Sequence, residues 1–449
     1  MRSRNLLNST KGRFFTFGIL YISEGIPYGF TSIAMVTFMR QQGVLLEQIG
    51  AFVAAMFLPW AFKWSWAPLI DLIKLPRLGG RKAWIVFCTT MMIVTLTITA
   101  MVDFSENFQL LMVMIVLTNV FCATQDVAID SLAVNALKEN ERARGNGFMF
   151  GGQYLGITLG GGGAVFVYGL AGFDITLGYI IGLLLLNLMF VIFFVQDPQA
   201  DATAKRESGV LGKLVTNMVS FVKITYASFW QSGRGPKVGV AFALLPTGAM
   251  ALAYAALSTV QVDYGLTDNQ IAQITVYNTI ASGIGCLFGG WLGDRYGLKK
   301  IAATAYVLTT LPTLFLAVQI SRLGLQAVPL ETLYGVIIVH GLFFGMSFGV
   351  VNAIFMGMTN PAVAATQFTA FMGMGNLAIS MGNYWQGIVA EGYGYATMFY
   401  LDALFVIAAL LLIPFLQNRE DGTKDGTKDG TKDIEQTLVP VFEGVRTRE

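Results

Sequence analysis

Four ionisable side chains stand inside stretches that are otherwise apolar: Glu24, Lys63, Asp126 and Asp130. A charge near the centre of a bilayer costs at least ~2.5–3.5 kcal/mol, so each one needs a chemical reason to be there. Asp126 and Asp130 are four residues apart, which sets them one turn apart on a single helix face. Counting a rise of ~1.5 Å per residue from the ends of the apolar runs puts Glu24 ~15 Å, Lys63 ~13 Å and Asp126 ~15 Å from the same side of the membrane. Three charges from three separate segments thus share one level. Burial favours the neutral form of a carboxyl group, and a neighbouring ammonium favours the ionised form. A carboxylate that pairs with Lys63 in one conformation and loses it in another takes up and releases a proton as the two alternate. Lys63 is then the fixed positive partner, and Glu24, Asp126 and Asp130 are the proton-coupling acids. Two other roles fit the same residues: a static Lys63–Asp126 brace, and direct binding of a charged solute.

A second set of polar side chains falls at similar depths. Gln125, Gln153, Tyr154, Asn278, Asn376 and Gln386, with His340 as the only histidine, are the candidates for holding a substrate or for bonding a neighbouring helix. His340 adds a possible second titrating group. Cys88, Cys122 and Cys286 all lie in apolar runs and read as small packed residues, so neither a metal nor a disulfide is expected. No Ser/His/Asp set occurs within the runs, and one histidine leaves few acid–base options. No Gly-x-x-x-x-Gly-Lys-Ser/Thr loop is present to bind ATP. The sequence therefore predicts no enzyme and no cofactor.

The elements that must position these residues are membrane helices. Of the 449 residues, 55% are hydrophobic and 12% charged, about half the charge of a soluble domain. Mean hydropathy is +0.61. Twelve apolar runs can be marked, at about 14–38, 48–72, 83–102, 108–136, 145–170, 174–195, 237–262, 271–293, 299–320, 331–358, 365–389 and 396–416. Each suits the roughly 20 residues that span a hydrocarbon layer. A β-barrel, whose strands alternate polar and apolar, is excluded, as are a cytosolic enzyme and a nucleic-acid binder. No cleavable signal peptide is expected ahead of the first run, which contains Glu24 and Pro27.

Charge sets the orientation. All but three of the 29 lysines and arginines, the exceptions being Arg40, Lys63 and Arg322, fall in the tails or in the second, fourth, sixth and eighth connections. By the positive-inside rule both termini are cytoplasmic and the number of passages is even.

The chain divides into two halves, 1–195 and 237–416, joined by a linker, 196–236, and followed by a tail, 417–449, that contains Asp-Gly-Thr-Lys three times. The tail composition predicts disorder. Within the linker, apolar residues recur at helical spacing over 210–230, which fits an interfacial helix on the cytoplasmic surface, with a plain flexible linker as the alternative. The halves echo each other. Glu47-Gln48-Ile49-Gly50 precedes Asp71, and Asn269-Gln270-Ile271-Ala272 precedes Asp294, each aspartate leading into a basic glycine-containing turn. Such a repeat is the signature of a two-bundle transporter with a central cavity.

The turn Gly290-Trp291-Leu292-Gly293-Asp294-Arg295-Tyr296-Gly297-Leu298-Lys299 resembles the signature loop of the major facilitator superfamily. In physical terms Gly290 would let two helices approach, Asp294 would cap a helix end and pair with a base, and Gly297 would permit a tight reversal. With Asp71, these residues and Lys299 form a candidate gating latch. Span two (Pro59-Trp60 to Asp71), span four (Ala123-Thr124-Gln125-Asp126 to Asp130) and Glu24-Gly25-Ile26-Pro27 in span one resemble the AmpG-like muropeptide permeases and acetyl-coenzyme A transporters of that superfamily, and related siderophore importers. The resemblance implies an all-α membrane protein of twelve helices in two pseudo-symmetric six-helix bundles. It implies a proton-coupled importer in the inner membrane, acting as a monomer on a bulky polar solute such as an anhydro-muropeptide, with a ferric siderophore as the alternative. A receptor built on a transporter scaffold is a more distant reading. Gly156 is followed by Ile157 where drug–proton antiporters of the superfamily usually place a proline, which points away from export.

Overall fold

The computed structural model describes residues 5–72, 79–101, 107–137, 142–197, 223, 225–231, 234–245, 251–359 and 364–417. Most of the linker and the tail from residue 418 onward, where disorder is expected, lie outside the described residues.

The first half opens with α1 (Thr10–Gly29), a wider π-helical turn (Phe30–Ala34) and α2 (Met35–Gln41), which together run as one rod. Ser9 starts it by accepting a hydrogen bond from the Gly12 amide at 3.1 Å, a side-chain N-cap. Pro27 lies inside this rod and has no N–H to give, and the helix widens within one turn after it. Next come α3 (Leu46–Leu72), α4 (Arg81–Thr99) and α5 (Phe108–Ala136). The half closes with α6 (Arg142–Thr158), a second π-helical turn (Leu159–Gly163) and α7 (Ala164–Phe194). The second half contains α8 (Arg234–Leu244), α9 (Ala255–Tyr264), α10 (Asp268–Tyr296), α11 (Leu298–Leu323), α12 (Leu330–Met358) and α13 (Ala364–Leu412). Thr267 begins α10 with a capping box: its amide donates to Gln270 Oε1 at 2.9 Å and its hydroxyl accepts from the Gln270 amide.

Among the described residues, eight helical stretches are long and apolar enough to cross a membrane. Two of them, Phe148–Phe194 and Gln367–Phe415, contain 47 and 49 residues. Straight, either would reach ~70 Å, over twice a hydrocarbon layer. Neither is straight. Gly172 and Gly394 have φ of +82° and +81° and break the helices where the apolar runs part. Each arm folds back on the other: the Tyr179 hydroxyl donates to the Leu159 carbonyl at 3.2 Å, and Gln386 Nε2 donates to Asp402 Oδ1 at 2.9 Å.

In each half the same pairs of helices pack together. α3–α5, α4–α5 and α4–α7 in the first are matched by α10–α12, α11–α12 and α11–α13 in the second. Close approach is made by glycine. A Cβ at Gly152, Gly156 or Gly160 would sit 2.2, 2.4 and 1.9 Å from the carbonyl oxygens of Gly18, Ile22 and Ile26, so α1 and α6 touch backbone to backbone at every turn. Gly285 and Gly345 do the same between α10 and α12. Gly290, expected to serve such an approach, faces open space, and its neighbour Gly289 lies against the Met346 carbonyl. Most of the predicted linker helix lies outside the described residues; its end, 225–230, is helical, burying Ala227, Ser228 and Phe229 against the second half, with the Phe229 ring 5.1 Å from Phe371, and exposing Tyr226 and Trp230.

Candidate functional site

α1, α3 and α5 deliver Glu24, Lys63 and Asp126 to one buried place in the first half. The Lys63 ammonium pairs with Asp126 Oδ2 and lies 5.2 Å from the centre of the Trp60 ring. Glu24 is 1% exposed. Gln153, from α6, donates Nε2 to Glu24 Oε1 at 2.7 Å, and Glu24 Oε2 is buried as well. Asp126, Lys63 and Asp130 all lie within electrostatic reach of Glu24. Asp130, one turn along α5, accepts from the Tyr21 hydroxyl. Were every acid ionised, three carboxylates would face one ammonium, so the neutral form of at least one acid is favoured by burial.

A chain of aromatic rings leads from this cluster across the junction of the halves. Trp60 meets Tyr28 at 6.1 Å, Tyr28 meets Phe57 at 5.8 Å, and Phe57 reaches Tyr254 of the second half at 5.5 Å, each edge to face. Tyr254 then meets Phe344 at 6.0 Å, and Phe344 stacks on His340 at 6.0 Å. Beside Tyr254 and Phe344 lies a cavity of about 100 Å³ within the second half. Tyr306, Phe355 and Phe371 line it, with Ser347, Asn352 and Asn376 as polar points. Asn376 Nδ2 also reaches the Trp60 carbonyl at 3.5 Å, so the cavity borders α3 at the level of the charge cluster.

The other candidates are dispersed. Tyr154 lies in electrostatic reach of Tyr28 and of Cys286 across the junction. Gln125 is fully buried and donates to Thr89 Oγ1 at 2.7 Å, which ties α5 to α4 and points it away from the cavity. Asn278 packs its Oδ1 onto Gly341, where a Cβ would come within 2.0 Å. Gln386 bonds Asp402 between the arms of α13. In the loop between α10 and α11, Gly297 has a φ of +95° and makes the reversal, and Lys299 lies in the first turn of α11. The Arg295 guanidinium lies over Trp291 and Tyr296 at 5.8 and 5.7 Å. The side chains of Asp71 and Asp294 lie outside the described residues.

Sequence reasoning missed an interlock at the end where α2 finishes. Arg40 forks onto Asp263, Nε to Oδ1 at 2.6 Å and Nη2 to Oδ2 at 2.7 Å, and the Tyr395 hydroxyl donates to Asp263 Oδ2 at 2.7 Å. Gln41 donates to Asp268 at 2.6 Å, and Glu391 accepts from the Leu46 amide at 2.7 Å, capping α3 from the other half. The available signal was Arg40 itself, isolated on the side that holds almost no basic residues.

Comparison with known proteins agrees with this architecture. The Major Facilitator Superfamily matches residues 14–257 and again 238–449. The chain is 21% identical over 416 residues to "Putative transporter AmpG 4" of Rickettsia conorii, covering 91% of this chain and 97% of that one. It is 22% identical over 415 residues to "Anhydromuropeptide permease" of Escherichia coli K12, covering 88% and 78%. Among solved structures, the inward open conformation of the xylose transporter XylE from E. coli superposes with a TM-score of 0.69 at 12% identity, covering 91% of this chain and 97% of that one. The D-xylose-proton symporter gives 0.67 at 12% identity, covering 90% and 98%. With two matches that together span nearly the whole sequence, the chain belongs to the Major Facilitator Superfamily and is a membrane transporter.

Proposed function

We propose that this protein imports a bulky polar solute, such as an anhydro-muropeptide, across the inner membrane together with protons, by alternating access between two six-helix bundles. The observation that carries this reading is the enclosed Glu24–Lys63–Asp126 cluster, joined through Trp60, Tyr28, Phe57 and Tyr254 to an aromatic-lined cavity with Ser347, Asn352 and Asn376 as its polar points. Two folded-back hairpins among eight candidate spans, with α3 and the α8–α9 pair between them, support twelve passages. The basic loops support a cytoplasmic placement of both termini. The Escherichia coli relative named as an anhydromuropeptide permease supports the choice of solute. Each proton moving inward carries ~2.3 kcal/mol per 100 mV, which is enough to drive accumulation.

In this scheme the halves are held together at the Arg40 end, and the loop carrying Arg295, Gly297 and Lys299, with Asp71 and Asp294, latches the basic end when the molecule turns over. The test is uptake of labelled anhydro-muropeptide into proteoliposomes under an imposed pH gradient, acid outside. Accumulation that a protonophore abolishes is expected. Uptake indifferent to the gradient removes the proton, and absence of uptake combined with rescue of growth on a ferric siderophore replaces the solute.

A further inference from the structure

Beside the charge cluster lies a second bonded pair, Tyr21 and Asp130. α1 runs from the basic end toward the Arg40 end, and α5 runs the opposite way. Tyr21 therefore lies about one turn nearer the basic end than Glu24, and Asp130 one turn nearer than Asp126. The two meet: the Tyr21 hydroxyl donates to Asp130 Oδ1, crossing from α1 to α5. Burial falls along the same direction. Glu24 is 1% exposed and Asp126 4%, whereas Asp130 is half-buried. The Tyr21 ring is itself buried, edge-on to Phe150 at 6.2 Å, so its hydroxyl is held in place by packing on α6. Among the described residues, the charged and titratable groups facing Asp130 are Asp126 on its own helix, Lys63 from α3, and Glu24 and Tyr21 from α1. Those facing Tyr21 are Asp130, Asp126 and Glu24.

We propose that the Tyr21–Asp130 pair is the station through which a proton held among Glu24, Lys63 and Asp126 passes to and from the basic end of the first half. This rests on the proton-coupled reading above. The step is a proton transfer only. The carboxylic acid of Asp126 gives its proton to the Asp130 carboxylate, Asp126 returns to its ion pair with Lys63, and Asp130 releases the proton to water. Tyr21 is a positioning residue. Its donated hydrogen bond occupies Oδ1, so the incoming proton is directed to Oδ2. Direct bracing of α1 on α5 would account for the same contact but would not link it to titration.

Difference infrared spectroscopy of the full chain in nanodiscs, titrated from acid to alkaline pH, reads the protonated-carboxyl band without any solute. We expect a band that titrates in the wild type, loses a component in Asp130→Asn, and moves its midpoint by about one pH unit in Tyr21→Phe, which keeps the ring and removes the hydroxyl. Asp130→Glu should restore the component lost in Asp130→Asn. If no carboxyl band titrates in the wild type, both this station and the proton-coupled reading are overturned. If a titrating band disappears in Asp126→Asn but is unchanged in Tyr21→Phe and Asp130→Asn, the station alone is overturned and the coupling reading stands. Elution as a single folded species and an unchanged melting temperature for Tyr21→Phe separate this effect from a loss of packing.

Discussion

Arg40 and Asp263, 223 positions apart in sequence, form a two-point fork that joins the halves of the protein. Both side chains are about one-fifth exposed, 21% and 20%, so the pair is stronger than a free surface bridge and weaker than a sealed one. All three acids of the surrounding interlock, Asp263, Asp268 and Glu391, come from the second half. The first half answers with Arg40, Gln41 and the amide that opens α3.

Removing the fork should release that end. A partly shielded charge-assisted pair contributes about 1–2 kcal/mol, so Arg40→Ala should shift the balance between conformations roughly 5- to 30-fold toward opening at that end. Spin labels at Gln42 and Tyr393 would show a longer distance population growing at the expense of the short one. Exchanging the charges, Arg40→Asp with Asp263→Arg, should recover much of the short population.

The Lys63–Asp126 pair predicts an asymmetry. Asp126→Asn leaves a buried ammonium without its partner and should destabilise the protein by about 3 kcal/mol or more. Replacing both at once, Lys63→Met with Asp126→Leu, should cost less than the single change, because no uncompensated charge remains. Thermal unfolding in detergent orders the two variants, and the same double variant should lose gradient-driven uptake.

Adjacent glycines provide a third test. A methyl group at Gly289 meets the Met346 carbonyl at 2.5 Å, whereas one at Gly290 meets nothing within 4 Å. Gly289→Ala should lower stability by about 1–3 kcal/mol through overpacking of α10 on α12, and Gly290→Ala should leave it unchanged. Equal melting temperatures for the two would contradict the helix register.

Gln125 and Asn376 should separate into structure and recognition. Gln125→Ala breaks a buried bond to Thr89 and should cost about 1 kcal/mol of stability with little change in the apparent KM for solute. Asn376→Ala, at the cavity wall, should raise that KM about 5- to 10-fold while leaving the fold intact. Initial uptake rates at varied solute concentration distinguish the two.

The sequence exposed what membranes make expensive. Glu24, Lys63 and Asp126 were legible because a charge in hydrocarbon has few excuses, and their common depth followed from helical rise alone. The breaks at Gly172 and Gly394 were legible because apolar runs stop there. Helix facing was harder to read. Gln125 and Asp126 are neighbours in sequence, yet a rotation of ~100° per residue sends one to Thr89 and the other to Lys63. Gly289 and Gly290 differ in the same way. The cavity wall was hidden because Phe344, Phe355 and Phe371 look like ordinary packing in a chain with 34 phenylalanines. The partner of Arg40 was hidden because nothing local ties residue 40 to residue 263.

The widened turn at Phe30–Ala34 lies between Glu24 and Arg40 on the same rod. A turn of that kind admits one residue more than the regular coil, and each residue advances the helix by ~100°. The angular offset between the Glu24 end and the interlocking end of this rod is therefore set there. Excising a single residue from the turn would leave Glu24 facing Gln153 and swing Arg40 about a quarter of a circle away from Asp263, so two functions carried by one helix could be uncoupled by a one-codon deletion.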